Sequence, residues 1–452
     1  MSFCGEIEYN VFMSEPSSSK LNEVSPDALE RAILVSIKTP SQTQAEVEES
    51  IEELARLSST AGAMVVDKII QPKSSPDPKF FIGKGKVEEI KATITSGGVN
   101  LVIFDEELSA TQQHNLQKEL GIKVLDRTAL ILDIFAQHAH SHEGKLQVEM
   151  AQLTYLLPRL KGRGTEMSRL GGGIGTRGPG ETKLEVDRRR IRKRIKTLSD
   201  RLEQLGVNRS IQRKKRKKSR VPVVSIVGYT NAGKSTLLNR LTGARARVED
   251  KLFSTLDSSV KRLNRGQKGT VLFSDTVGFI NKLPHQLIAS FKSTLEEIKE
   301  SDLLLHIVDA TNADLGNYLR AVEEVLTEIG AINKKTVLVF NKIDLLDRVA
   351  LARLKEKYPE AVFISAQEGT GIDNLTTMIE KVLEEERVFL RLRIPFGEGD
   401  VLATLHDKGY VVKEVYGPEG IDVLAEVPEP IAGSFQKYST WPFSETYSNL
   451  KM

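Results

Sequence analysis

The chain has 452 residues, 28% charged and 40% hydrophobic, with 64 Lys and Arg against 61 Asp and Glu. That length suits two or three domains with sizeable cores, and the composition excludes collagen-like, disulfide-scaffold and wholly disordered chains. The single cysteine, Cys4, cannot close an internal disulfide, no apolar run approaches the ~18 residues a membrane span needs, and the opening MSFCGEIEYN lacks a signal peptide's basic and apolar regions. A cytoplasmic monomer is expected.

The net charge of +3 conceals an asymmetry. Arg159 to Arg220 holds 22 Lys and Arg against 6 Asp and Glu, a local charge of +16, while the remainder carries −13. Such a split points to one segment suited to a polyanion.

In chain order, residues 1–28 contain SEPSSS and few apolar side chains, and read as a loose tail. Residues 29–140 alternate strand-like runs (Arg31–Lys38, Ala63–Ile70, Asn100–Asp105, Gly121–Leu125) with helical ones (Gln44–Leu57, Lys86–Ile94, Thr111–Leu120). That alternation predicts a small α/β domain with a parallel sheet. Within it, Gly83-Lys84-Gly85-Lys86 is either a turn presenting lysines to phosphate at a helix N-terminus or an ordinary strand-to-helix turn with solvated lysines.

Residues 141–212 change pattern. Leu146, Met150, Leu153, Leu157 and Leu160 follow a 4-3-4-3 spacing, and Leu184, Ile191, Ile195, Leu198, Leu202 and Leu205 repeat it, with Arg188 at the remaining seam position. Two coiled-coil seams separated by a glycine-rich basic stretch predict an antiparallel helical hairpin with a long tip, kinked near Pro158. The run Arg213–Lys218, within residues 213–220, reads as a hydrophilic linker or a nonspecific RNA contact.

The chemistry lies in residues 221–386. The strand-like Val221–Val227 precedes Gly228-Tyr229-Thr230-Asn231-Ala232-Gly233-Lys234-Ser235-Thr236 and a helical run, which is GxxxxGK[ST] in its strand–loop–helix setting. The glycines let backbone N–H groups face phosphates, Lys234 reaches the β- and γ-phosphates, and Ser235 ligates Mg2+. Asp275-Thr276-Val277-Gly278 follows the strand Val271–Ser274; its carboxylate can hold the magnesium through water, and Gly278 leaves an N–H for the γ-phosphate. Asn341-Lys342-Ile343-Asp344 follows the strand Thr336–Phe340. The Asp344 carboxylate accepts from guanine N1–H and the N2 amine, which adenine does not offer. Ser365-Ala366 is where a backbone N–H could meet guanine O6.

Between the first two motifs runs Phe253-Ser254-Thr255-Leu256-Asp257, in which Thr255, or failing that Ser254, is the candidate switch hydroxyl for Mg2+. Phe279 stands where Ras-type enzymes carry a water-orienting glutamine, so hydrolysis should be slow alone or use another group supplied by a partner or ion. The side-chain oxygen of Asn231 can either coordinate K+ beside the phosphates or stabilise its loop. Residues 387–452 read as a small α+β unit of βαββ order.

Arg127–Phe135 (RTALILDIF), Glu143–Leu160 (EGKLQVEMAQLTYLLPRL), Ser168–Ile191 with its GGGIGTRGPGET core, GYTNAGKSTLLNRLT, FSTLD, DTVGFI and NKID together resemble the HflX family of ribosome-associated GTPases, in the Obg-HflX group of P-loop GTPases. Ser258-Ser259 departs from the Pro-Thr the family usually carries there. The resemblance implies an α/β multidomain protein: an N-terminal α/β domain with a helical arm, a P-loop GTPase domain and a small C-terminal domain. It also implies GTP and GDP as ligands and the bacterial large ribosomal subunit as partner, with splitting of stalled or idle ribosomes under stress as the activity. Arg163, Arg169, Gly171, Gly172, Gly173 and Arg177 would contact rRNA near the peptidyl-transferase region. An rRNA-binding assembly factor that splits nothing is the alternative.

Overall fold

The computed structural model describes residues 30–160, 179–219, 221–243, 252–253, 259–264, 270–282, 292–312, 314–384 and 387–440. Its strands are numbered β1–β13 below.

The N-terminal sheet has the order β2-β1-β3-β4, from Arg31–Lys38 (β1), Met64–Pro72 (β2), Leu101–Phe104 (β3) and Lys123–Asp126 (β4), and every pairing is parallel. β1 is the buried centre. Ile33, Val35 and Ile37 face Val87, Ile90 and Leu116 on one side, and Ala32 and Leu34 face Leu54, Leu57 and Leu130 on the other. A strand covered on both faces must be apolar throughout, which is why RAILVSIK stands out in the sequence. The helix Gln44–Thr60 starts at a capping box, with the Thr43 hydroxyl accepting the Glu46 N–H at 3.2 Å and the Glu46 carboxylate accepting the Thr43 N–H at 2.8 Å. Gly83–Lys86 forms the turn into a helix, with the Lys86 side chain only partly exposed. Gly83 caps the helix Lys84–Gly97 and gives its N–H to the Gln71 side chain, while Lys86 pairs with Glu89 at 2.7 Å and Lys84 lies 3.9 Å from Glu88.

The helix Arg127–His138 completes the domain, and its N-terminus is capped by Asp126. The next helix, His142–Arg159, packs Val148, Ala151 and Tyr155 into the N-terminal core and also contacts the 41-residue helix Pro179–Ser219. Glu149 receives two hydrogen bonds from Arg194 across that contact, at 2.6 and 2.8 Å. Ile191 and Leu198 are buried while Arg189, Arg190, Arg192 and Lys193 are exposed, as the seam predicts. Pro158 lies inside the last turn of the first helix, which runs to Arg159. The structure corrects one expectation: Arg213–Lys218, predicted as linker, continues the long helix. Lysine and arginine are good helix formers, and neither Gly nor Pro interrupts residues 207–219.

The central sheet has the order β10-β9-β8-β5-β7-β6. Its strands are Val223–Gly228 (β5), Ser259–Asn264 (β6), Thr270–Asp275 (β7), Leu303–Asp309 (β8), Thr336–Asn341 (β9) and Val362–Phe363 (β10), and only β6 runs antiparallel to its neighbour. Arg387–Ile394 (β11), Tyr410–Gly417 (β12) and Gly420–Pro428 (β13) form an antiparallel sheet of order β11-β13-β12, with the helix Gly399–Lys408 between its first two strands.

The N-terminal core does not end at its own domain. Phe135, Ile134 and Val148 share one cluster with Tyr229, Leu252, Phe253, Val277, Ile280 and Tyr318. The N-terminal domain therefore packs against the face of the central domain that carries the glycine-rich loop.

Candidate nucleotide site

β5 delivers the chain into the loop 228–233, and the helix Lys234–Thr242 leaves it, with Gly233 at the N-cap in the left-handed region (φ 90°). Glycine is required at both ends of the loop. A Cβ at Gly228 (φ 150°) would lie 2.2 Å from the Ile307 carbonyl oxygen, and one at Gly233 would lie 2.2 Å from Asn341 Nδ2. Asn231 is also left-handed (φ 60°), at the exposed crest.

Lys234 is buried and donates to the Tyr229 carbonyl oxygen at 2.7 Å. Burial pulls its ammonium down to about 8, and the Asp275 carboxylate opposes that shift. Ser235 Oγ donates to Asp275 Oδ2 at 2.7 Å, bringing the hydroxyl after the loop lysine to the carboxylate at the end of β7. Thr276 Oγ1 donates to the Ile226 carbonyl at 2.7 Å and fixes the segment that follows. Gly278 lies tight on the loop: a Cβ there would sit 2.8 Å from Thr230 Cα and 2.9 Å from Lys234 Nζ. Phe279 bridges to Tyr229 through backbone hydrogen bonds (Thr230 N–H to Phe279 O, 2.8 Å; Phe279 N–H to Gly228 O, 3.1 Å). Its ring is 1% exposed and packs with Val227, Leu295 and Ile298, away from solvent.

The third and fourth motifs meet the loop through one amide. Asn341 Nδ2 donates to the Ala232 carbonyl at 2.8 Å, and its Oδ1 accepts the Ala366 N–H at 2.9 Å. The N–H expected to face guanine O6 is thus given to Asn341 here. The Ser365 N–H goes to Thr370 O at 3.0 Å. Lys342 is left-handed (φ 64°), and its ammonium pairs with Asp309 at 2.7 Å. Asp344 is exposed on the short turn Ile343–Leu345, its carboxylate open to an incoming group.

Of the switch residues 253–257, Phe253 is described and Ser254, Thr255, Leu256 and Asp257 lie outside the described residues. Phe253 is buried edge-on against Phe135 of the N-terminal domain, with ring centres 4.6 Å apart. Arg163, Arg169, Gly171, Gly172, Gly173 and Arg177 also lie outside the described residues.

Two sets of participants carry no local sequence signal. Arg240, two turns into the helix after the loop, donates to the Ala366 carbonyl at 3.1 Å and to the Gln367 carbonyl, holding the turn 365–367. The Tyr229 hydroxyl donates to the buried Glu53 of the N-terminal domain and accepts the Asn281 N–H at 2.6 Å. Burial raises the Glu53 carboxyl despite the Arg127 guanidinium beside it, and burial also raises the Tyr229 phenol.

Ser235, Asp275 and a phosphate form an all-oxygen donor set, which is the chemistry a hard divalent cation needs, so the residues present fit Mg2+. Among the described residues there is no cluster of three His, Cys, Asp or Glu side chains able to hold a metal unaided. No described helix is long and apolar enough to cross a membrane.

A mostly parallel sheet with the glycine loop after β5, a carboxylate closing β7 and an Asn-Lys-x-Asp turn after β9 defines a P-loop GTPase. Family models agree along the chain. Residues 48–136 match the GTP-binding GTPase N-terminal model, 138–216 the GTP-binding GTPase middle region, and 223–342 the 50S ribosome-binding GTPase model. The chain belongs to the HflX family of GTPases. It is 49% identical to the GTPase HflX of Caldanaerobacter subterraneus subsp. tengcongensis over 422 residues, 93% of this chain and 96% of that one. It is 44% identical to the GTPase HflX of Escherichia coli over 407 residues, 90% and 95% of the two chains. Among solved structures, a GTP-binding protein from Sulfolobus solfataricus in complex with GDP aligns with a TM-score of 0.41 at 29% identity, covering 78% of this chain and 98% of that one.

Proposed function

We propose that this GTPase docks on the large ribosomal subunit through its basic helical arm when GTP is bound, and that docking splits stalled or idle ribosomes. The observation that carries the reading is the charge of +16 confined to residues 159–220, on the arm and not in the nucleotide pocket. The model matched by residues 223–342, described as a 50S ribosome-binding GTPase, agrees with it. Arg163, Arg169 and Arg177 supply stacking and phosphate pairing to rRNA, while Gly171–Gly173 let the backbone approach it closely.

In the pocket, residues 228–236 wrap the phosphates, Lys234 exchanges its Tyr229 carbonyl for β- and γ-oxygens, and the Gly278 N–H receives the γ-phosphate. Ser235, Thr255 and, through water, Asp275 hold Mg2+, which neutralises charge on the phosphate oxygens when bound. Asp344 reads guanine N1–H and the N2 amine, Lys342 lies along the base, and O6 shares the Ala366 N–H with Asn341. Asn231, left-handed and exposed, offers its side-chain oxygen to K+. The Phe279 ring cannot hydrogen-bond to water, so fast hydrolysis waits for the ribosome, and the factor then leaves as a monomer.

The test is cosedimentation with isolated large subunits in the presence of a non-hydrolysable GTP analogue. Reversing Arg163, Arg169 and Arg177 to Glu abolishes pelleting while GDP binding survives. Pelleting that is unaffected by all three changes rejects the arm as the reader.

A further inference from the structure

The Arg127 guanidinium is 2% exposed and starts two hydrogen-bonded branches. One runs from Arg127 to Glu53, from Glu53 to the Tyr229 hydroxyl, and from that hydroxyl to the Asn281 N–H. The other runs from Arg127 to Asp105 at 2.6 Å and from Asp105 to the Lys282 ammonium, which also reaches Glu106 at 3.3 Å. Both leave the same side chain of the N-terminal domain, and they end at consecutive residues three and four positions beyond Gly278. Ser50 Oγ donates to Asp105 at 2.6 Å and Ser36 Oγ to Glu106 at 3.1 Å, so the carboxylates are held in place on the N-terminal side.

A buried charge set is an expensive way to glue two domains, because an apolar replacement of the same volume often holds at least as well. The neighbouring Phe135–Phe253 contact already supplies apolar adhesion between the two domains. The charge set supplies direction: it connects to a hydroxyl of the phosphate loop and to a backbone amide of the segment that must adjust when Gly278 meets a γ-phosphate. On its other side, Asp126 adjoins Arg127 in the chain, accepts from Tyr155 at 2.9 Å and pairs with Arg159 at 3.1 Å. Arg159 is the last helical residue before the basic stretch of the arm.

We propose that Tyr229 and Lys282 are positioning residues, which hold residues 278–282 to Arg127 of the N-terminal domain and thereby convey the nucleotide state to the arm at Arg159. The inference rests on the reading of residues 228–236 and 275–278 as the GTP site, and not on the ribosome. Spatial continuity alone does not establish coupling; a nucleotide-dependent response that the latch controls does.

Hydrogen exchange of the full chain with Mg2+ and either GDP or a non-hydrolysable GTP analogue provides that readout. In the unaltered protein, peptides covering Ser50–Glu53, Asp105–Arg127 and Tyr155–Arg159 exchange at different rates with the two nucleotides. The double variant Tyr229→Phe, Lys282→Met loses more than half of that difference. Lys282→Met alone, at a partly exposed residue outside the phosphate loop, loses part of it, and Lys282→Arg retains it. Protection of the β1 amides reports that each variant is folded. N-terminal peptides that exchange alike with both nucleotides, or a difference that survives in the variants, overturn the proposal. If the analogue fails to protect residues 228–236 of the unaltered protein, the nucleotide reading itself fails and the latch falls with it.

Discussion

Asn341 accepts the Ala366 N–H at 2.9 Å, so the turn after β9 and the turn after β10 form one unit. The same amide reaches Ala232 at 2.8 Å and joins that unit to the phosphate loop. Removing it leaves a buried N–H and a carbonyl unpaired, each costing about 1–3 kcal/mol. Asn341→Ala is expected to weaken GDP binding by roughly ten- to a hundredfold at 1.4 kcal/mol per decade. Asp344→Asn should weaken it comparably while xanthosine diphosphate gains affinity, because the 2-oxo group of xanthine accepts from the new amide. Calorimetric titration of both nucleotides checks this, and a GDP affinity unchanged in Asp344→Asn contradicts it.

Lys234 gives nucleotide affinity a pH dependence of fixed sign. Its ammonium titrates near about 8 in the free protein, and a bound phosphate favours the charged form. Below pH 8 the group is already charged and affinity is flat with respect to it. Above pH 8 binding must take up a proton, so Kd for GDP rises toward about tenfold per pH unit. Titrations at pH 7, 8 and 9 should show the bend, and Lys234→Met should be weak with no bend.

His306 on β8 is 5% exposed, and its Nε2 has no hydrogen-bond partner among the described residues. Burial and the nearby Lys234 ammonium pull it down to about 4 from its ordinary 6.5. A depressed histidine leaves the unfolded chain binding more protons between those values, so stability is full above pH 6.5 and falls as pH drops toward 4. Linkage gives roughly 2 kcal/mol between pH 7.5 and pH 5 from this side chain. Denaturant unfolding at the two pH values should show that loss for the unaltered protein and not for His306→Gln; equal losses contradict the assignment.

Asn231 sits at the crest of the loop with its side chain accessible. GTP hydrolysis is expected to be severalfold faster in K+ than in Na+ at equal ionic strength, and Asn231→Ala should remove the difference. Equal rates in the two salts for the unaltered protein remove the cation from the account.

Much of this was legible in the sequence wherever a residue's role depends on its own neighbours. The phosphate loop, Asp275 and Asn341 follow buried strands whose apolar runs announce them, and Arg31–Lys38 was readable to the residue because a strand covered on both faces must be apolar. The seam of Ile191, Ile195 and Leu198 followed from periodicity. Glu53, Asp105 and Arg127 were not legible, since isolated charges in a helix, after a strand and at a helix start look solvated until the fold closes over them. Arg240 was hidden in the same way, among the polar residues of a helix whose partner turn lies more than 120 residues later. The end of the long helix is not legible in the sequence, because a charge run reads equally as linker, whereas here lysine and arginine extend the helix.

The proposed GTP-switched separation of ribosomal subunits is read out by sucrose-gradient sedimentation. Intact ribosomes are incubated with the protein and either GTP or a non-hydrolysable analogue. A factor that splits ribosomes gives a smaller monosome peak with both nucleotides and a matching rise in free subunits, and with the analogue the protein stays on the large subunit. A monosome peak unchanged by either nucleotide contradicts splitting.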